Sequence, residues 1–177
     1  NTDQNFNVIN AELNSLSSIL GDDTLNKNTL EKTMNNIGNL EKAIGSVLGE
    51  TILAPIDSNQ YHSLNNTYWR NDLKNNSSSK LPEGAIPIIS KIEKNSILDI
   101  ALVGVGIVKD QETAYKLQKD LSFGQALTTS KGGLWRWDGF VQPQGVQNSY
   151  SERLQQIARV RLLQKKLPTL KKEQDVI

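Results

Sequence analysis

The sequence contains no cysteine and a single histidine, and each scarcity excludes a class of site. Without thiols, the 177-residue chain can form no disulfide, no thiolate metal site and no cysteine nucleophile. With His62 alone, one chain cannot build a metal site from two histidines. An excess of either charge is also missing, because 20 Lys and Arg oppose 19 Asp and Glu for a formal net charge of +1. This balance excludes a polycation that binds nucleic acid by bulk charge alone.

Long apolar runs are missing as well. The longest apolar stretch, residues 97–108, contains Asp99 and is too short to span a bilayer, so we expect no membrane partner. No basic segment followed by an apolar one opens the chain, which argues against a secretory signal. Because the sequence begins at Asn1 rather than Met, we interpret it as an interior fragment of a longer protein. Its 37% hydrophobic residues suffice for one folded domain with a core.

Charge is unevenly distributed along the chain. Residues 1–60 carry a net charge of −5, residues 61–149 carry +2, and residues 150–177 carry +4. The basic end can pair with the acidic beginning, contact a phosphate backbone, or form a solvated helix face, and the last interpretation is favoured.

Apolar residues near both ends of the chain repeat with heptad spacing. The first set has spacings of 3, 4, 3 and 4 and consists of Phe6, Ile9, Leu13, Leu16 and Leu20. The segment Gly-Asp-Asp at 21–23 should end this helix. Near the C-terminus, Ser151 is predicted to cap a helix whose seam follows Ile157, Val160, Gln164 and Leu167, and Pro168 should kink or end it. We expect the two helices to form an antiparallel pair.

Between these helices the pattern is that of a mixed α/β (α+β) fold. An apolar stripe predicts a helix over 30–48 that ends near Gly49, and its Gly38 and Gly45 predict close approach of another backbone. A second helix should begin at Asp110 and run to Leu121. Residues 58–84 are polar, with a surface loop at 75–79. Short strands are predicted at 51–54, 85–92, 101–108, 125–129 and 134–137, the last two joined by a turn at 131–133.

Motifs typical of catalysis or nucleotide binding are weak here. Residues 121–125, LSFGQ, resemble the signature loop of ATP-binding-cassette ATPases, but they follow a helix and lead to a strand, and no Gly-x-x-x-x-Gly-Lys-Ser/Thr loop is present. Residues 103–109, VGVGIVK, lack the third glycine of a dinucleotide fingerprint. His62 has no nucleophile or acid pattern around it. Because nucleotide-binding motifs are lacking, we predict that this fragment is not an enzyme.

Two indoles flank Arg136, and alternation places Trp135 and Trp137 on one face of a strand. Such a platform could stack on bases, but a role in the core or at a subunit interface is favoured.

Several segments together resemble one family. Residues 131–140, KGGLWRWDGF, are similar to a segment that reads GDLWRWDGF in one bacterial subgroup, and residues 40–50, LEKAIGSVLGE, are similar to an opening helix that reads YEKALGAALGDDL. The segments TILAPID (51–57), LPEGAIP (81–87), VGIVKD (105–110) and SERLQ (151–155) follow in the expected order. From about residue 37 to 163 the chain therefore resembles the hinge domain of bacterial SMC (structural maintenance of chromosomes) proteins.

This resemblance implies an SMC hinge-like domain of two subdomains with an antiparallel coiled-coil stub. Residues 1–21 would end the incoming coiled-coil helix, 22–149 would form the dimerisation hinge, and 150–177 would begin the returning helix. It further implies a homodimer that joins the arms of a chromosome condensation and segregation ATPase in the cytoplasm, at the nucleoid. ATP and Mg would bind distant head domains, so no cofactor is expected in this fragment, and kleisin-type subunits would be partners of the parent protein.

Candidate interface and DNA-contact residues follow from that assignment. Because glycine lets the backbones of two copies approach closely, the candidate dimer interface comprises Gly104, Gly106, Gly132, Gly133 and Gly139. The candidate DNA contacts are Lys131, Arg136, Arg153, Arg159 and Arg161. Two other classes stay open: a monomeric adaptor whose terminal helices bind a foreign coiled coil, and a small-molecule-binding or catalytic α/β domain that uses the Gly104–Gly106 strand end.

Overall fold

The computed structural model describes residues 2–21, 28–57, 67–75 and 79–175. Its contacts divide the chain into two compact units. One, here the central body, is Asn28–Glu152, and the other, the helical unit, joins Asn1–Lys27 with Arg153–Ile177. The domain boundaries proposed from the sequence, after residues 21 and 149, stay predictions, as does the division of the hinge into two subdomains.

All strands are short, and so are the helices of the central body, whereas the first and last helices of the chain are long. The helices are α1 (Thr2–Leu20), α2 (Leu30–Thr33), α3 (Glu41–Leu48), α4 (Leu98–Ala101), α5 (Gln111–Leu117) and α6 (Ser149–Asp175). The strands are β1 (Ile56–Asp57), β2 (Trp69–Arg70), β3 (Ile86–Pro87), β4 (Val105–Ile107), β5 (Ala126–Thr129), β6 (Gly132–Arg136) and β7 (Val141–Gln142). Turns of 3-10 helix lie at Gly49–Leu53, Ile88–Lys91 and Gln118–Asp120. Within the described ranges, no helix is long and apolar enough to cross a bilayer.

A five-stranded sheet organises the central body. Its strands lie in the order β3, β4, β5, β6, β7; β4 and β5 are parallel, and the other neighbours are antiparallel. A parallel pair needs a crossover, which α5 supplies. Asp110 caps that helix as predicted, because its Oδ1 accepts a 2.8 Å hydrogen bond from the Thr113 backbone N–H. The same bond holds the pKa of Asp110 below its ordinary value. Strands β1 and β2 form a separate parallel pair, and the mixed α/β prediction is confirmed.

The sheet is covered by helices on both faces at β5 and β6. The core cluster between α5 and the sheet consists of Val108, Ala114, Leu127 and Trp135. Because side chains alternate along β6, Gly132 faces away from Trp135. On that opposite face, a Cβ built at Gly132 would lie 3.3 Å from Ser46 Oγ of α3. All of β5 and all of β6 except Arg136 are therefore buried.

The single helix predicted over 30–48 is wrong, although its glycine prediction is confirmed. Residues 34–40 separate α2 from α3, and Asn36, Gly38 and Asn39 all have φ between 48° and 61°. Asn and Gly tolerate this left-handed region, so the stretch can break the helix at low energetic cost while the apolar stripe stays in the core. A Cβ at Gly38 would lie 3.0 Å from the Lys91 carbonyl oxygen, which is the close backbone approach expected there.

The predicted strands have different bounds in the structure. The strand expected at 134–137 runs from Gly132 to Arg136, so both glycines of the predicted turn belong to β6 and the turn lies at residues 130–131. Residues 51–53 belong to a 3-10 turn, and the strand expected there begins only at Ile56. In 85–92 only Ile86–Pro87 is strand, and β3 is the edge position that tolerates a residue without an N–H. In 101–108 the strand is Val105–Ile107, because the preceding apolar residues close helix α4. Apolar runs this short do not distinguish a buried turn from a buried strand.

The helical unit pairs α1 with α6 in antiparallel fashion, as predicted. Glu12 binds Arg159 through two hydrogen bonds of 2.7 and 2.9 Å. Val8 and Ile9 share a groove with Lys165, Lys166, Thr169 and Leu170. Residue numbers therefore rise along one helix as they fall along the other. The Arg159 guanidinium lowers the pKa of Glu12 below its ordinary value. Gly21, at φ 77°, follows the last residue of α1; Asp22 and Asp23 lie outside the described residues.

Two predictions about α6 are wrong. Asn148 caps the helix instead of Ser151, since its Oδ1 accepts hydrogen bonds from the backbone N–H groups of Tyr150 and Ser151, both at 3.0 Å. The helix also continues through Pro168 to Asp175, so an end near Leu167 is wrong, while a kink at Pro168 stays a prediction. Pro168 is exposed, so water can hydrogen-bond the carbonyl that the missing N–H leaves free.

The seam of α6 also differs from the predicted one, because Leu163 is buried where Gln164 was expected. Gln164 is exposed. The predicted loop at 75–79 lies mostly outside the described residues, and His62 lies wholly outside them.

Gly133 should be the most sensitive glycine of β6. At φ 88°, its added Cβ would lie 2.8 Å from the buried Trp135 ring and 3.1 Å from the Gln142 carbonyl. We expect Gly133→Ala to lower the free energy of unfolding by about 2–4 kcal/mol, from backbone strain plus overpacking. Gly145→Ala is the matched control, since Gly145 has φ 80° and no described atom beyond its chain neighbours lies within 4 Å of the added Cβ; it should cost about 1 kcal/mol. Equal losses in urea titrations would contradict the packing described for Trp135.

Candidate functional site

The five candidate interface glycines occupy different environments. Added Cβ atoms would lie 3.1 Å from the Gly124 oxygen at Gly104, 2.9 Å from Ala85 Cβ at Gly106, and 3.3 Å from Ser46 Oγ at Gly132. Contacts within the chain therefore account for glycine at these positions and at Gly133. Gly139 differs, because it lies in an exposed turn at φ 92°, and among the described residues beyond its chain neighbours no atom lies within 4 Å of an added Cβ. A role for any of the five at a dimer interface stays a prediction.

The candidate DNA-contact residues are divided between the two units. Lys131 and Arg136 are exposed in the central body. Arg153, Arg159 and Arg161 lie on α6 in the helical unit. Arg136 forms an ion pair with Asp138, and Arg159 forms one with Glu12, each within its own unit. These hydrogen bonds raise the pKa of both guanidinium groups, and DNA contact stays a prediction.

The structure brings together a different group at the end of the sheet. We call it the aromatic edge: Phe123, Trp137, Phe140 and Val141. Their exposed fractions are 83%, 42%, 47% and 40%, respectively. The rings of Phe123 and Trp137 are tilted against each other with centroids 4.5 Å apart. The Arg136 guanidinium carbon lies 5.1 Å from the centroid of Phe140, in a cation–π contact. Large apolar side chains grouped on a surface in this way are typical of interaction sites.

Hydrogen bonds fix the backbone beneath the aromatic edge. Arg136 N–H donates to the Phe140 oxygen at 2.9 Å, and Gly139 N–H donates to the Arg136 oxygen at 3.1 Å. The Gln118 side-chain amide reaches both carbonyls, at 2.9 Å from Arg136 O and 3.2 Å from Phe140 O. Trp137 N–H donates to the Gln125 oxygen at 3.0 Å. The β6–β7 hairpin therefore presents its aromatic rings from a pre-organised turn, which reduces the entropy lost on binding.

Local charge at the aromatic edge is balanced. Arg136 and Asp138 form an ion pair, with Nε 3.1 Å from Oδ1 and a second, shorter contact between Nη2 and Oδ2. The Arg136 guanidinium lowers the pKa of the Asp138 carboxyl, so this acid is ionised at neutral pH. A surface that combines aromatic rings with one cation and one anion suits a protein partner better than a phosphate backbone.

The sequence identified only part of the aromatic edge. Trp135 is 2% exposed and lies in the core, whereas Trp137 is on the surface. The predicted common face fails because β6 ends at Arg136, where the alternation of a strand stops. Phe123 and Phe140 were missed. The available signal was their position beside turn glycines, since both Phe123-Gly124 and Gly139-Phe140 place an aromatic residue where the chain reverses.

Among the residues that the structure describes, no group of three or more His, Cys, Asp or Glu side chains is placed to hold a metal ion.

Comparisons with known proteins identify the family. No family model matches the chain. The chromosome partition protein Smc of Rhodopseudomonas palustris is 32% identical over 120 residues, which are 68% of this chain and 10% of that protein. The Smc protein of Cereibacter sphaeroides is 29% identical over 128 residues, 72% of this chain and 11% of that protein. The chain thus spans only a small part of the length of these relatives.

The solved structures give an independent comparison. The SMC hinge domain of Geobacillus stearothermophilus, solved as an asymmetric dimer, superposes with a TM-score of 0.66 at 15% identity, covering 97% of this chain and 84% of that one. The structural similarity shows that the chain has this fold, and the sequence identities show that it is related to the Smc proteins. The recognition made from the sequence is thereby confirmed: the chain is related to the bacterial Smc proteins and has the fold of their hinge domain.

Proposed function

We propose that this chain is the homodimerisation hinge of an SMC protein and that the aromatic edge contacts a second copy. The observation that carries the proposal is the exposure of Phe123 and Trp137, whose rings contact each other from two turns that hydrogen bonds hold within one chain. Burying aromatic rings from a pre-organised surface yields affinity with little ordering cost. The turn of Trp137 also includes Gly139, whose added Cβ would meet no atom within 4 Å in the part of the chain that the structure describes, its two neighbours aside.

A second copy suits this surface for two reasons. A two-fold contact needs a self-complementary patch, and Arg136 beside Asp138 provides both charges within one hairpin. Strand β7 is also the outer strand of the five-stranded sheet, where Val141 is 40% exposed. An outer strand offers backbone groups for pairing with another chain. The related hinge from Geobacillus stearothermophilus was solved as a dimer, which supports self-association here.

The proposal extends to the parent protein. Relatives named for chromosome partition point to a longer chain that condenses and segregates chromosomes in the cytoplasm, at the nucleoid. In such a protein, α1 and α6 would continue into a coiled-coil arm, ATP and Mg would bind distant head domains, and kleisin-type subunits would complete the assembly. The hinge would contribute a dimer junction and no catalytic step.

Dimerisation through the aromatic edge predicts a specific effect of substitution. We expect Trp137→Ser and Phe123→Ser each to raise the dimer dissociation constant at least about 30-fold, as for interface anchors that contribute about 2 kcal/mol or more. Analytical ultracentrifugation measures the constant, and thermal melting verifies that the variants fold. Tyr115→Ser is the matched control, since Tyr115 is a 71% exposed aromatic residue on α5 outside the aromatic edge. Dimers equally tight in all variants would place the interface elsewhere.

DNA contact by the basic residues is a second proposal, supported by the net charge of +4 over residues 150–177. We expect Arg159→Gln with Arg161→Gln to weaken binding to single- and double-stranded DNA. On duplex DNA, the slope of log affinity against log salt should fall by about 0.9 for each phosphate that the variant no longer neutralises. Lys74→Gln, at an exposed lysine outside the candidate set, is the control. Unchanged affinity and slope in a fluorescence titration would refute the assignment of these arginines.

A further inference from the structure

The first turn of α6 lies unusually close to α3. A Cβ built at Gly45 would lie 2.5 Å from both Cα and N of Ser151 and 2.7 Å from its Oγ. Cβ atoms do not approach backbone atoms this closely, so only glycine permits the contact. Ser151 is 6% exposed and therefore buried in this contact. The approach occurs within the central body, to which both residues belong.

Hydrogen bonds converge at the same place. Ser151 Oγ donates to the Lys42 carbonyl oxygen at 2.9 Å, and Ser46 Oγ donates to the same oxygen at 2.8 Å. The Ser151 backbone N–H donates in turn to Asn148 Oδ1 at 3.0 Å. Ser151 is thus held through both its side chain and its backbone. Its buried hydroxyl needs this bond, because a buried polar group without a hydrogen bond costs free energy that an exposed one does not.

Strand β6 reaches this cluster from the sheet. A Cβ at Gly132 would lie 3.3 Å from Ser46 Oγ and 3.5 Å from the Lys42 oxygen. Lys42, Gly45, Ser46, Gly132 and Ser151, which we call the Lys42 cluster, therefore join the start of α6, the helix α3 and the start of β6 by direct contact.

We propose that the Lys42 cluster is an anchor, in which Gly45 and Ser151 position the first turn of α6 on α3. This turn belongs to the central body together with α3 and β6, and its contact with Gly45 fixes by packing where the helix begins. This inference goes beyond dimerisation, because it concerns how the start of α6 is held and applies whether the chain is a dimer or a monomer.

Hydrogen–deuterium exchange on the intact chain tests the anchor. In Ser151→Ala the hydroxyl bond is removed while the close approach to Gly45 remains. We expect amide exchange in a peptide covering residues 150–158 to accelerate about three- to tenfold, as for the loss of one buried hydrogen bond, with β5 and β6 unchanged. Ser149→Ala is the control, since Ser149 lies in the same turn but is exposed, and it should leave the exchange of this peptide unchanged.

Gly45→Ala tests the close approach by itself. It should accelerate exchange in the same peptide more than Ser151→Ala does, because the added Cβ displaces the whole turn. Glu41→Ala, on the same helix but outside the Lys42 cluster, controls for alanine in α3. Exchange in Ser151→Ala that matches Ser149→Ala would overturn the anchor. So would an equal acceleration in every peptide, since that reports general destabilisation and no local attachment.

Discussion

Strand β6 begins with two consecutive glycines in the left-handed region, and the packing of the central body depends on both. Gly132, at φ 92°, brings the strand against the Lys42 carbonyl and the Ser46 hydroxyl of α3. Gly133, at φ 88°, leaves room on the opposite face for the Trp135 ring. Any side chain at either position would be strained by its backbone angle and would meet a neighbour as well. The two helical layers can therefore close over β5 and β6 only because these positions lack a Cβ.

The burial of Trp135 in β6 determines which residues are exposed where this strand ends. With Trp135 in the core and the strand ending at Arg136, the hairpin must turn at once. The Gln118 side-chain amide holds this turn by hydrogen bonds to the carbonyl oxygens of Arg136 and Phe140. Trp137 then stands at the surface beside Phe123. The same strand that completes the core thus carries the aromatic edge, which is why we place the contact with a second copy there. Substituting a surface ring should change association without unfolding the core.

The sequence predicted most readily those features that depend on local chemistry. The Asp110 cap, the close approaches at Gly38 and Gly45 and the β5–β6 hairpin are all confirmed, because a cap, a missing Cβ and a turn each act over a few residues. The predictions of one helix over 30–48 and of a helix end at Pro168 were wrong for other reasons. In the first, the apolar residues stay buried although the segment between the helices is irregular. In the second, solvent accommodates an exposed proline within the helix. The aromatic edge depends on where β6 ends, which propensity alone does not determine.

Association of two copies through the hinge is the central claim, and the molar mass of the unmodified chain in solution tests it most directly. Light scattering over a dilution series should give twice the 19.7 kDa of one chain, with the dimer persisting at the lower concentrations. A mass of 19.7 kDa at every concentration would contradict it, and would favour instead an adaptor whose terminal helices bind another coiled coil.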